Sequence, residues 1–163
     1  MKLMLVMMQP RSAVIAALCD HTCELAGEIK YVASAHVASR HVTPDGDVVC
    51  VQRWRARADV PELLRPHLED GLHDWTLTFE RRAGAYACHW RAESAAVQVP
   101  GSCQGIIGFA PAIGGRGTRI EVHAEFAAGS EGLRVIFGRL LAQHWRALVA
   151  AAARRLEANP PAD

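Results

Sequence analysis

Four polar or soft side chains, Cys50, Gln52, Tyr86 and Cys88, occupy positions that alternate with charged residues along strand-like runs, so they share a face turned from water. A buried polar group must find a partner in protein, water or ligand. A mostly apolar pocket with a few convergent polar groups is the usual form of a small-molecule site. On that reading Gln52 and Tyr86 orient the polar end of a ligand; on the alternative they satisfy each other inside a filled core. His144 falls on the apolar stripe of the last helical segment, among Leu140, Leu141 and Leu148. With an intrinsic pKa of about 6.5, an imidazole there has the chemistry of a general acid or base, and Tyr86 is the second weak catalytic candidate. The plainer alternative is a histidine hydrogen-bonded at the edge of a core. The acids that can be placed (Glu80, Glu93, Glu121, Glu125) read as outward, so no inward carboxylate is available to orient the ring.

Cys19-Asp20-His21-Thr22-Cys23 clusters three soft ligands, but a structural zinc site normally needs four, commonly as two pairs. The next histidines, His36 and His41, belong to a strand. No metal and no cofactor is expected, and nothing places a base beside any cysteine. Gly114-Gly115-Arg116-Gly117 lacks the Lys-Ser/Thr of a phosphate loop and leads into a strand, so it reads as a hairpin connection.

The elements that must position these groups follow from period and punctuation. Residues 3–8 read as a strand, and Pro10 suits the first turn of a short helix carrying Val14, Ile15 and Leu18. Asp20 is placed to cap a second short helix that Gly27 stops. Strands follow over 30–43 and 47–58 around Pro44-Asp45-Gly46, over 72–82 and 85–94 around Gly84, and over 103–109 and 118–127. Residues 61–68 suit a turn or two of helix across the sheet opening. Over 130–158 the period changes: Leu133, Ile136, Phe137, Leu140, Leu141, His144 and Leu148 share one helical face, with Arg134, Arg139, Arg146 and Arg154 mostly away from it. At 1.5 Å per residue such a helix is about 40 Å long. Gly138 costs about 1 kcal/mol relative to alanine in mid-helix, so it marks a close approach of the sheet or room for a ligand.

Alternation also separates wet from dry. Arg53, Arg55 and Arg57 face out and Cys50, Gln52 and Trp54 in. Thr76, Thr78 and Glu80 oppose Trp75, Leu77 and Phe79; His89, Arg91 and Glu93 oppose Tyr86, Cys88 and Trp90. Arg119, Glu121, His123 and Glu125 oppose Ile120, Val122, Ala124 and Phe126. A half-buried antiparallel sheet has this division, and its outward charges are expected to pair across strands.

The totals set bounds. The 163 residues suit one domain over 1–158 with a frayed tail over 159–163. Half the residues are hydrophobic and the net charge is +1, which gives no electrostatic reason to expect nucleic acid or an anionic membrane. No apolar stretch approaches the roughly 20 residues that span a bilayer, so no integral membrane association is expected. Five cysteines, an odd number, suit a reducing compartment, and the cytoplasm is the expected location.

The strand–helix–helix–strands–helix order resembles the START-like (SRPBCC) helix-grip superfamily over nearly the whole chain. A likeness to a branch without assigned chemistry is carried by Pro61-Glu62-Leu63-Leu64, Trp75 at a strand start, Pro100 before Cys103-Gln104-Gly105, and Phe109-Ala110-Pro111 ahead of Gly117-Thr118-Arg119. The resemblance implies an α+β fold: a curved antiparallel sheet wrapped around a long C-terminal helix, with two short N-terminal helices. It implies a small or elongated hydrophobic ligand, bound or carried between sheet and helix. The expected lining is Cys50, Gln52, Trp54, Trp75, Leu77, Phe79, Tyr86, Cys88, Trp90, Ile120, Val122, Phe137, Leu141 and His144. Residues 61–68 and the loop at 114–117 would gate it. A cyclase, dehydratase or hydrolase using Tyr86 and His144, and a cavity-poor interaction domain, are the alternatives. A fold shared by many activities assigns none of them, and oligomeric state is left open.

Overall fold

The computed structural model describes residues 1–57, 74–94, 102–126 and 131–159. The segment at 61–68, expected as a gate, lies outside the described residues. Strand β1 (Lys2–Met7) leads into α1 (Arg11–Ile15), a π-helical turn (Ala16–Asp20) and a 3₁₀ stretch (Thr22–Glu28). Strands β2 (Val32–Val42), β3 (Val48–Ala56), β4 (Asp74–Arg81), β5 (Ala87–Ser94), β6 (Ser102–Ala112) and β7 (Gly117–Phe126) follow, and α2 (Glu131–Ala158) comes last. The seven strands form one antiparallel sheet in the order β1-β7-β6-β5-β4-β3-β2. Sequential strands pair as a meander, and β1 closes the far side on β7.

The alternation read from the sequence holds within the ladders. Cys50, Gln52, Trp54, Leu77, Phe79, Cys88, Trp90, Ile120 and Val122 are buried, whereas Arg53, Arg55, Glu80, His89, Arg91 and Arg119 are exposed. Strand β6 runs further than expected, through Pro111. A proline is tolerated there because β5 pairs only as far as Gly108, so beyond Phe109 that side of β6 has no ladder bond to lose.

Two local expectations need correction. Asp20 caps nothing: the 3₁₀ stretch has no side-chain cap, and both Asp20 carboxylate oxygens accept from Arg81 Nη2 at 3.1 Å. A half-buried guanidinium across the layer draws the carboxylate more strongly than local N–H groups do. The outward charges, expected to pair across strands, do so at Arg55–Asp74, but Arg91–Glu93 and Arg119–Glu121 pair along a single strand.

The long helix is gripped unevenly. In its C-terminal half Trp145, Leu148, Val149, Ala151 and Ala152 are buried. Their spacing of three and four residues makes one stripe. Arg154 pairs with Glu28 and Arg155 with Glu24, which fastens that end to the 3₁₀ stretch. In the N-terminal half Phe137, Leu140, Leu141 and His144 are only half-buried. Gly138 does not mark a close approach, since a methyl group there would meet only the Phe126 ring, at 4.0 Å. The apolar residues of this half of the helix are therefore only partly covered.

Candidate functional site

Trp54 and Trp75 are directly opposed on β3 and β4, and both side chains point to the helix side of the sheet. Their rings lie nearly parallel, 5.9 Å apart between centroids and 20° from coplanar in orientation. His144 descends onto this pair from α2. Its ring stands perpendicular to both indoles, with centroid distances of 5.5 Å to Trp54 and 5.8 Å to Trp75. Trp54 is fully buried and Trp75 half-buried, so the second indole is the accessible wall.

The partner of the imidazole is Tyr31, whose hydroxyl lies 2.9 Å from Nδ1. Either Tyr31 donates to Nδ1, leaving Nε2–H a donor, or Nδ1–H donates to Tyr31, leaving Nε2 an acceptor. In both cases Nε2 is a buried polar atom with no hydrogen-bond partner among the described residues. Such an atom costs about 1–3 kcal/mol unless something satisfies it. Burial pushes the His144 pKa down to about 4 and the Tyr31 phenol up to about 12. At pH 7 the pair is therefore uncharged. An imidazole held that low is a poor proton shuttle at neutrality, where efficient catalysis wants a pKa near the working pH. It is well suited to a neutral hydrogen bond.

Tyr86 is not part of this site. It is 55% exposed. It lies ahead of the first residue of β5, at the end opposite Ser94, which pairs with Trp75. Eight residues of strand separate Tyr86 from Ser94, about 26 Å at 3.3 Å per residue. The pairing of Tyr86 with His144 as joint catalytic residues is thus overturned, as is an inward role for Tyr86 in holding a ligand. Gln52 is buried as expected, but its amide is occupied. Trp54 Nε1–H donates to Gln52 Oε1 at 3.0 Å, and Gln52 Nε2 donates to Cys50 Sγ at 3.7 Å. Gln52 fixes the Trp54 indole instead of meeting a ligand or Tyr86.

Deeper under α2 the remaining candidates pack against each other. The Trp145 ring meets Phe79 at 6.4 Å and Trp90 at 5.6 Å, both edge-on. The Trp90 and Trp145 Nε1 atoms are buried without a partner among the described residues. Ile120, Val122 and Leu77 complete this core. Phe137 and Leu141 stay half-buried above it.

Cys88 Sγ donates to main-chain oxygens of Glu80 and His89, each at 3.4 Å. A thiol–thiol hydrogen bond to Cys88, together with burial, raises Cys19; burial pushes Cys23 up to about 12 and Cys103 up to about 11. His21 turns outward to Glu24, so the segment from Cys19 to Cys23 does not converge on one point. Among the described residues no three His, Cys, Asp or Glu side chains stand together as a metal site.

Tyr31 is invisible to sequence reading because its partner is 113 residues away. The available signal is general: a half-buried tyrosine hydroxyl needs a partner, and the histidine on the inner face of α2 needs one too.

No protein-family model matches this chain, and no curated protein resembles it in sequence. Solved structures do resemble it. The protein TTHA0849 from Thermus thermophilus superposes with a TM-score of 0.70 at 18% identity, covering 98% of both chains. Ara h 8.0201 gives 0.63 at 12% identity over 98% of this chain and 97% of its own. The di-domain ARO/CYC StfQ from the steffimycin biosynthetic pathway gives 0.59 at 15% identity, over 96% of this chain and 46% of its own. At identities this low the likeness concerns the fold alone, and that fold is the helix-grip α+β architecture: an antiparallel sheet around a long C-terminal helix, with short helices near the N-terminus.

Proposed function

We propose that this chain binds a small hydrophobic molecule between the sheet and the N-terminal half of α2, with Tyr31 and His144 receiving its polar end. The observation that carries the reading is His144 Nε2, a buried polar atom without a partner among the described residues, on a ring that stands edge-on over two stacked tryptophans and on a half-covered apolar helix face. Trp75, Phe137 and Leu141 supply apolar contact. Removing such surface from water contributes roughly 25 cal/mol per Å² before ordering costs. The fold shared with an ARO/CYC protein of a biosynthetic pathway fits a site for apolar molecules. Among the described residues no helix is long and apolar enough to cross a membrane, and all five cysteines are free thiols. The odd number of cysteines supports a proposed location in a reducing compartment such as the cytoplasm.

The test uses N-phenyl-1-naphthylamine, a neutral fluorescent probe. It is expected to bind saturably and quench tryptophan emission, and Trp75→Ala should weaken it by about tenfold, the scale of losing one aromatic wall. Native mass spectrometry of the freshly purified protein should find apolar molecules that organic extraction removes. A protein that neither carries such molecules nor binds the probe does not have this function.

A further inference from the structure

A second cleft lies at the other end of the sheet, where α1 approaches the β4–β5 turn. It is an open cleft with a volume of about 540 Å³. That is within the usual 300–1,000 Å³ range of small-molecule sites. Arg81, at the last position of β4, lies six residues from Trp75, about 20 Å along the strand, so the cleft is separate from the sheet–helix site. The Arg11 guanidinium lies over the Tyr86 ring with Cζ 3.3 Å from its centroid. A guanidinium held over an aromatic face is attracted by the ring and restrained there. Across the cleft Arg81 is fixed by Asp20, and its Nε is buried without a partner among the described residues.

The charges do not cancel. Asp20 is engaged by Arg81, and Arg11 has no carboxylate partner among the described residues. The cleft residues Arg11, Arg81 and Asp20 therefore leave one positive charge, beside the exposed Ser12 hydroxyl. The other walls are apolar: the Tyr86 ring, Ile15 and Ala85. One uncompensated guanidinium, Arg11, beside aromatic and aliphatic walls matches an anion carried on a flat apolar body better than a bare inorganic ion. We propose that this cleft is a second ligand site, for a small aromatic or polycyclic carboxylate, independent of the sheet–helix site.

The experiment is NMR titration of the full chain with 1-naphthoate, with 1-naphthalenemethanol as the neutral analogue and inorganic phosphate as the anion without a ring. The expected result is saturable shifts of the Arg11 Nε–H and Tyr86 ring resonances with naphthoate. Affinity should be about tenfold weaker for the neutral analogue and for Arg11→Gln, the scale of one charge-assisted hydrogen bond. Tyr86→Leu, which keeps apolar bulk and loses the stacking platform, should weaken it as well. The proposal is overturned if naphthoate shifts only the Trp75 and His144 resonances, which would place it in the sheet–helix site. It is equally overturned if phosphate perturbs Arg11 as naphthoate does, or if Arg11→Gln binds like the wild type.

Discussion

Gly105→Ala is expected to destabilise the protein by about 3 kcal/mol or more, against a total stability of roughly 5–15 kcal/mol for a domain. Gly105 sits in the middle of β6, paired with Trp90 on β5 and Ala124 on β7. A methyl group at this position would overlap the main-chain carbonyl oxygen of His123 and stand 3.0 Å from the Trp90 ring. The indole has a little freedom, but the carbonyl is part of the β6–β7 ladder and has none. The substitution must therefore break the ladder or spread the strands, and Trp90 loses its seat beside Trp145. Gly108→Ala is the control, since a methyl there meets only the Glu121 carbonyl oxygen at an ordinary 4.0 Å. Urea unfolding of the two variants should separate them clearly. Equal losses would mean that β6 and β7 do not approach at Gly105 as described.

The second large effect is a loss of stability in mild acid. Burial lowers His144 from the ordinary 6.5 to about 4, so between those values the unfolded chain binds a proton that the native chain refuses. Stability therefore rises with pH across that window: the contribution is complete above pH 6.5 and lost as pH falls through 4. The size is about 3 kcal/mol, from 1.36 kcal/mol per pKa unit. Denaturant unfolding from pH 7 down to pH 4 should show the wild type losing this much more than His144→Gln, which cannot take up the proton. Parallel pH profiles would mean that the imidazole is solvated and that its Nε2 is not the buried atom on which the binding site rests.

The sheet and the long helix are legible because each rests on a repeated local signal. Arg53, Arg55 and the Cys50-Gln52-Trp54 set alternate through a full ladder, and the α2 stripe repeats over several turns. The same rule fails at Tyr86, where it is extended past the end of the ladder. Tyr86 lies ahead of β5, and there Arg11 of α1 meets its ring instead of any layer formed by α2. A local capping pattern assigns Asp20, and a partner on β4 outcompetes the cap. Gln52 is correctly placed in the interior, but its commitment to Trp54 and Cys50 depends on rotamers that alternation does not report. Tyr31 cannot be matched to His144 without the fold, because only closure of the sheet around α2 brings the start of β2 and the helix together. Period and parity thus locate the layers, while the chemistry of the site comes from contacts between residues far apart in the chain.

Gly138→Leu adds a side chain on α2 beside Phe126, the last residue of β7, and so probes the space beneath the N-terminal half of the helix. Replacing a mid-helix glycine should gain roughly 0.5–1 kcal/mol from helix propensity, and a Cβ here reaches ordinary contact with the Phe126 ring at 4.0 Å, so the rest of the leucine must pack beside that ring. The decisive measurement is the affinity of N-phenyl-1-naphthylamine for this variant beside its unfolding free energy. A ligand site in that space predicts a cooperatively folded protein that binds the probe about tenfold more weakly or not at all, the scale of a lost apolar contact surface. Unchanged affinity in a stable, folded Gly138→Leu protein would contradict it.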